Sequence, residues 1–119
     1  LTASHTRADL IRAVLEGVAF SQADSLDILR GLGVTPRYIR LSGGGARSGV
    51  WRRIFAGVFG IPVTILETQE GSAYGAALLA SGFRGVREVE TVPPEHAADY
   101  AETYARYRRL YPALRSWFR

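Results

Sequence analysis

The segment Ser42-Gly-Gly-Gly-Ala-Arg-Ser-Gly49 is the part of this chain best suited to chemistry. Glycines between a strand and a helix can bring bare backbone amides up to a phosphate, and the helix N-terminus adds its partial positive charge. The spacing departs from two familiar phosphate motifs. Gly44 to Gly49 has the Walker A interval, but Val50 and Trp51 stand where lysine and a hydroxyl residue belong. A dinucleotide fingerprint starting at Gly43 would put Ser48 at its last glycine. Two readings stay open from the loop alone: a nucleotide or phosphate loop of another kind, and a tight strand-to-helix turn in which glycine relieves strain.

A second turn, Glu67-Thr-Gln-Glu-Gly71, leads into a helix that Ser72 can cap. If the strands before the two turns lie parallel, Gly43 to Ser48 and Glu70 to Ser72 face one crevice, where open α/β sheets bind their ligands. Arg47 and Trp51 lie close enough in sequence to flank a planar base, although the helical spacing of Trp51 with Phe55 assigns Trp51 to the core. Glu16 is expected to pair with an arginine, since no second acid lies at a spacing suited to acid–base work. Asp24 and Asp27 are expected on a solvated face. The histidines, His5 and His96, are isolated and cysteine is absent, which disfavours zinc and thiol chemistry.

Around these residues the elements run helix, strand, helix, strand, helix, helix. Ile11, Val14, Leu15, Val18, Leu26 and Leu29 recur at helical spacing and predict a helix from Thr6 to about Arg30, capped by Thr6 with Asp9 and ended by Gly31. Gly17 inside it predicts that another backbone packs closely there. Arg37 to Ser42 reads as a strand, Val50 to Val58 as an amphipathic helix ended by Gly60, and Pro62 to Leu66 as a second strand. Such a βαβ unit makes its two strands parallel. The small-residue helix from Ser72 to Gly82 is expected to be buried, and Gly85 to Pro94 to be a loop. Tyr100, Tyr104, Tyr107 and Tyr111 share one face of a C-terminal helix that should dock on the domain. Pro112 ends or kinks it, leaving Leu114, Trp117 and Phe118 to dock as a tail.

The chain has 119 residues, enough for one small domain. No apolar run could span a bilayer and no signal peptide is recognisable, so a cytoplasmic protein without membrane partners is expected. All basic residues are arginine, 15 against 11 carboxylates. They fall in three separate stretches (Arg37 with Arg40; Arg47, Arg52 and Arg53; the tail from Arg106 to Arg119), whereas nucleic-acid binding calls for one coherent basic face. Two strands make a very small sheet, and a long helix ahead of them suggests a piece of something larger.

Three segments in order carry a resemblance: Arg12-Ala-Val-Leu-Glu-Gly-Val-Ala-Phe20, Leu41-Ser-Gly-Gly-Gly-Ala-Arg-Ser48 and Glu70-Gly-Ser-Ala-Tyr-Gly-Ala-Ala-Leu-Leu-Ala80. They resemble the FGGY carbohydrate kinases over roughly residues 4 to 82, most closely the xylulose-phosphorylating branch. The resemblance implies an α/β fold, a fragment of the actin-like ATPase (ribonuclease H-like) domain with two adjacent parallel strands and about four helices. It implies that residues 1–119 are part of the C-terminal, nucleotide-binding domain of a two-domain enzyme using ATP with Mg2+ to phosphorylate a pentulose such as D-xylulose. Gly43, Gly44 and Gly45 then inherit contacts near the α-phosphate and sugar of the nucleotide. Ser48 falls where some relatives place an asparagine beside the adenine, and serine offers only a hydroxyl there. Glu70 to Gly75 would shape the cleft wall. The catalytic aspartate and the sugar contacts would lie in the other domain, leaving no catalytic residue and no metal ligand in this chain, which would be inactive alone. A non-catalytic nucleotide- or partner-binding module is the alternative, and a homodimer through the truncated sheet edge is compatible with either.

Overall fold

A reciprocal cap starts the first element. The computed structural model describes residues 2–68, 71–83 and 85–118. Ahead of α1 (Arg7–Gly31), the Asp9 carboxylate accepts the Thr6 amide at 2.7 Å while the Thr6 hydroxyl oxygen accepts the Asp9 amide at 3.4 Å. This is the cap expected from Thr6 and Asp9, and the Thr6 amide holds the Asp9 carboxyl below its ordinary value. The helix stops later than expected. Gly31 is still helical, and the left-handed residue that turns the chain is Gly33, at φ +85°.

The core-facing side of α1 is Leu15, Ala19, Phe20, Ala23 and Leu26. Of the predicted stripe, Ile11, Val14, Val18 and Leu29 are exposed instead. The helix is apolar on two faces, and its neighbours take the one where Ala19 and Ala23 allow close approach. Gly17 likewise fails its expectation: a Cβ built there meets nothing within 4 Å.

β1 (Ile39–Leu41) and β2 (Val63–Leu66) pair in parallel, Ile39 opposite Val63 and Leu41 opposite Ile65, with α2 (Gly49–Phe59) as the crossover. The expected βαβ unit is present. Gly60 ends α2 in the left-handed conformation, at φ +66°. A third strand, β3 (Glu88–Val92), occupies the stretch expected to be a loop; it pairs antiparallel with β2, giving the order β1-β2-β3. Glu88, Val89, Glu90 and Thr91 are all exposed, so no buried alternation distinguished this strand in the sequence.

α2 lies at the centre. Its Ile54, Phe55, Ala56 and Phe59 pack with Val63 and Ile65 of β2, Val92 of β3 and the inner face of α1. Full burial of a side chain such as Ile54 is worth roughly 1.5–3 kcal/mol. α3 (Gly71–Ser81) buries no residue, against the expectation from its small side chains; those permit close packing but need a partner surface, and Leu79 stands 85% exposed.

α4 (Ala97–Arg108) docks by its tyrosines. Tyr100, Tyr104 and Tyr107 surround Phe20 at ring-centroid distances of 6.4, 5.8 and 5.4 Å. The fourth tyrosine departs, because the helix breaks at Arg109 into α5 (Leu110–Leu114), which contains Pro112, and a 3-10 turn (Arg115–Phe118). α5 stands off α1, leaving an open cleft of about 730 Å³. Tyr111, Leu114, Trp117 and Phe118 are therefore exposed and the expected docking of the tail does not occur.

Asp24 and Asp27 are bound up in this docking, whereas a solvated face was expected. The Tyr104 hydroxyl lies 2.6 Å from Asp24 and 3.1 Å from Asp27, so its single proton is shared between two carboxylates, with Arg108 3.4 Å from Asp27. Loss of solvation and these two bonds push the Tyr104 phenol above its ordinary value. Ionisation would set a phenolate beside two carboxylates. The stability this group contributes is therefore complete below the ordinary phenol value of about 10 and is lost as pH rises toward the higher folded value. Tyr104→Phe should flatten the fall in Tm between about pH 9 and about pH 11; an alkaline limb identical to wild type would contradict the linkage.

Two interior glycines behave oppositely. A Cβ on Gly57 would lie 2.5 Å from the Glu95 carbonyl oxygen and 2.7 Å from the Tyr100 ring. Gly57→Ala should destabilise by about 1–3 kcal/mol, while Gly17→Ala should stabilise by roughly 0.4–1 kcal/mol through chain entropy and helix propensity. Thermal unfolding of the two variants checks both signs.

Candidate functional site

Parallel pairing of β1 and β2 brings their C-terminal ends to one edge of the sheet. A 3-10 turn (Gly44–Arg47) leaves β1 there and runs into α2, while α3 starts beyond β2. The two turns meet. A Cβ on Gly71 would lie 2.7 Å from the Ser42 hydroxyl oxygen and 3.3 Å from its Cβ, so the start of α3 rests against the residue that precedes the glycine run. Glu70 lies outside the described residues.

Two glycines of the run have a physical reason of their own, Gly43 and Gly45. Gly43 has φ +82° and ψ −169°, a region open essentially to glycine alone. Gly44 is exposed. Gly45 carries the Trp51 ring: a Cβ there would be 2.9 Å from two indole carbons. The turn is closed by the Ala46 amide donating to Gly43 at 3.1 Å and the Ser48 amide donating to Gly45 at 3.2 Å. The Gly44 and Gly45 amides donate to no other described residue. They sit at the N-terminal end of a helical turn continued by α2, whose first turn holds no acidic residue, so the local field favours an anion.

Ser48 is occupied in a way the sequence did not suggest. It is the N-cap of α2, its hydroxyl oxygen accepting the Trp51 amide at 3.3 Å. Its hydroxyl proton remains available as a donor. Trp51 joins the core, as its spacing predicted, stacked on Phe55 at 5.5 Å, and it also forms the floor under Gly45. Arg47 is exposed beside the turn.

Arg52 is the contributor that sequence reasoning missed. Its Nε donates to the Ala46 carbonyl inside the turn and its Nη1 to the Glu90 carboxylate on β3. The only signal, a basic residue one turn into the helix, acquires meaning once β3 is known to lie alongside. Glu16 pairs with Arg12 at 2.8 Å, as expected, and Tyr100 joins them. Arginines from the three basic stretches, Arg40, Arg52, Arg106 and Arg108, are likewise held by carboxylates.

The model of the FGGY family of carbohydrate kinases, C-terminal domain, matches residues 1–82. The xylulose kinase of Staphylococcus epidermidis is 40% identical over 81 residues, covering 68% of this chain and 16% of that protein. The xylulose kinase of Escherichia coli is 36% identical over 129 residues, covering 96% and 26%. Among solved structures, the crystal structure of xylulose kinase from Rhodospirillum rubrum superposes with a TM-score of 0.82 at 33% identity, over 99% of this chain and 27% of that one. The chain thus spans about a quarter or less of these relatives, and the likeness bears out the expected α/β fold.

Gly45→Ala tests the floor of the turn. Phe55 backs the Trp51 ring, so the added methyl should cost about 1–3 kcal/mol of overpacking and shift Trp51 emission, read with Trp117 replaced by Phe. Unchanged stability together with an unchanged spectrum would dissociate the ring from the turn.

Proposed function

Because the chain belongs to the FGGY family of carbohydrate kinases, within the C-terminal domain, we propose that it supplies the nucleotide-facing turns of an ATP-dependent sugar kinase whose acceptor is a pentulose such as D-xylulose. The observation that carries this is the contact of Gly71 with Ser42, which sets the start of α3 beside the glycine turn, whose Gly44 and Gly45 amides are unspent among the described residues. In this reading those amides donate to phosphate or ribose oxygens, Gly43 holds the backbone in the shape that exposes them, and the Ser48 hydroxyl donates toward the base. The field of the helical turn adds to the attraction for the phosphates.

The residues present also suit a division of labour. Of the described carboxylates, all but Glu95 cap a helix or pair with an arginine, a histidine or a tyrosine. A base that takes the proton of a sugar hydroxyl must be free and within reach of it. We place that base, the sugar contacts and the closure that excludes water in a preceding domain of the parent protein. Among the described residues no three His, Asp or Glu side chains gather as a metal site, so no step is assigned to Mg2+ here. No described helix is long and apolar enough to cross a membrane. The edge strand β1 and the exposed face of α1 are the surfaces on which the rest of the parent, or a second copy, would pack.

ATP added to the isotopically labelled chain should shift the amide resonances of Gly43, Gly44 and Gly45, and the chain incubated with MgATP and D-xylulose should form no sugar phosphate. Shifts confined to the cleft between α1 and α5 would remove the nucleotide assignment. Turnover by the purified chain alone would remove the division of labour.

A further inference from the structure

We propose that Arg52, oriented by Glu90 of β3, is the residue that sets the shape of the glycine turn, a positioning role in nucleotide binding that rests on the function proposed above. Three observations combine. The Arg52 Nε bonds the carbonyl of Ala46, a fully buried residue in the middle of the 3-10 turn. The far end of the same guanidinium is held by Glu90, which stands opposite Ile65 in the sheet and makes no contact of its own with the turn among the bonds of the described residues. The Arg52 side chain is 20% exposed, while the other ion-paired arginines are between 43% and 76% exposed.

That difference in burial separates Arg52 from the rest. Exposed ion pairs contribute little, because solvent screens them and two long side chains must be immobilised. The Arg52 guanidinium is largely shielded while Glu90 stays half-exposed, and the planar fork of the guanidinium makes a directional, charge-assisted link from the Ala46 carbonyl to that carboxylate. Lysine, with one tetrahedral head, cannot reproduce that geometry. The link also explains an arginine beside a proposed anion site that is not itself an anion ligand: Glu90 already neutralises it. The two roles differ in sign. If Arg52 bound phosphate directly, removing the Glu90 charge would release it and strengthen ATP binding; if Arg52 positions the turn, the same change weakens binding.

The test compares Arg52→Gln, Arg52→Lys and Glu90→Gln in the 119-residue chain by amide hydrogen exchange without ligand and by ATP titration. Exchange at the Ala46 and Ser48 amides, which close the turn, should rise about tenfold or more in Arg52→Gln and less in Glu90→Gln. Arg52→Lys should not restore protection, and the Ala19 and Ala23 amides in the core of α1 should be unaffected. Affinity for ATP should fall in the same order. Unchanged exchange at Ala46 and Ser48, or tighter ATP binding by Glu90→Gln, overturns the positioning role. Faster exchange in a chain that binds no ATP even as wild type leaves Arg52 as the organiser of the turn and removes the nucleotide reading instead. Should Arg52→Gln not fold, the half-exposed Glu90 still gives Glu90→Gln as a milder probe of the same link.

Discussion

The missing Cβ of Gly57 is the constraint on which the arrangement turns. It lets the Tyr100 ring and the Glu95 carbonyl settle on α2, and so fixes where α4 crosses the central helix. Six and five residues earlier on the same helix, Trp51 and Arg52 reach the glycine turn, one through its ring and the other through its guanidinium. A rigid helix of 11 residues thus has its C-terminal half locked to α4 and its N-terminal half under the turn. β3 adds a second route, through Glu90. Both routes originate in residues 88–100, beyond the span that the family model matches, yet they act on a turn inside it.

The turn held in this way is pre-organised. Gly43 sets the backbone in a conformation that other residues avoid, Trp51 supports Gly45, Arg52 ties Ala46, and Ser48 caps the helix that follows. These restraints act on different atoms of six consecutive residues. Ordering a flexible loop costs roughly 1–2 kcal/mol per residue, so a turn already ordered leaves more of the gross attraction between amides and an anion as net affinity. Rigidity here comes from packing and hydrogen bonds around the glycines and offsets the freedom that three adjacent glycines would otherwise confer.

How much of this was legible in the sequence follows from what each signal depends on. Local signals held: the Thr6–Asp9 cap, the Gly60 terminator and the tyrosine face of α4 concern residues within a few positions of each other, and the βαβ order is a succession of such local signals. Signals that needed a distant partner did not. Gly17 and Gly57 are both glycines inside helices, and only the crossing of α4 distinguishes them. β3 exposes four of its five residues and becomes a strand through its ladder with β2, which no alternation in its own sequence announced. Ser48 and Arg52 were visible as a hydroxyl and a charge beside glycines. Their roles as cap and tie appear once the turn is built as a 3-10 segment with β3 alongside.

The surface of α1 carries the last step. A helix with apolar residues on two faces is the pattern of an element packed on both sides. On one side Ala19, Phe20, Ala23 and Leu26 meet α2 and α4; on the other, Leu10, Ile11, Val14 and Val18 stand 39% to 67% exposed over two turns. That stripe is left uncovered among the described residues, and α3, with no buried residue, is uncovered as well. The core around α2 is closed while α1 and α3 each keep an open apolar face. The glycine turn from Gly43 to Ser48 lies within the closed part, tied to it by Trp51 and Arg52. Its geometry is therefore built into this stretch of chain, independent of the open faces of α1 and α3.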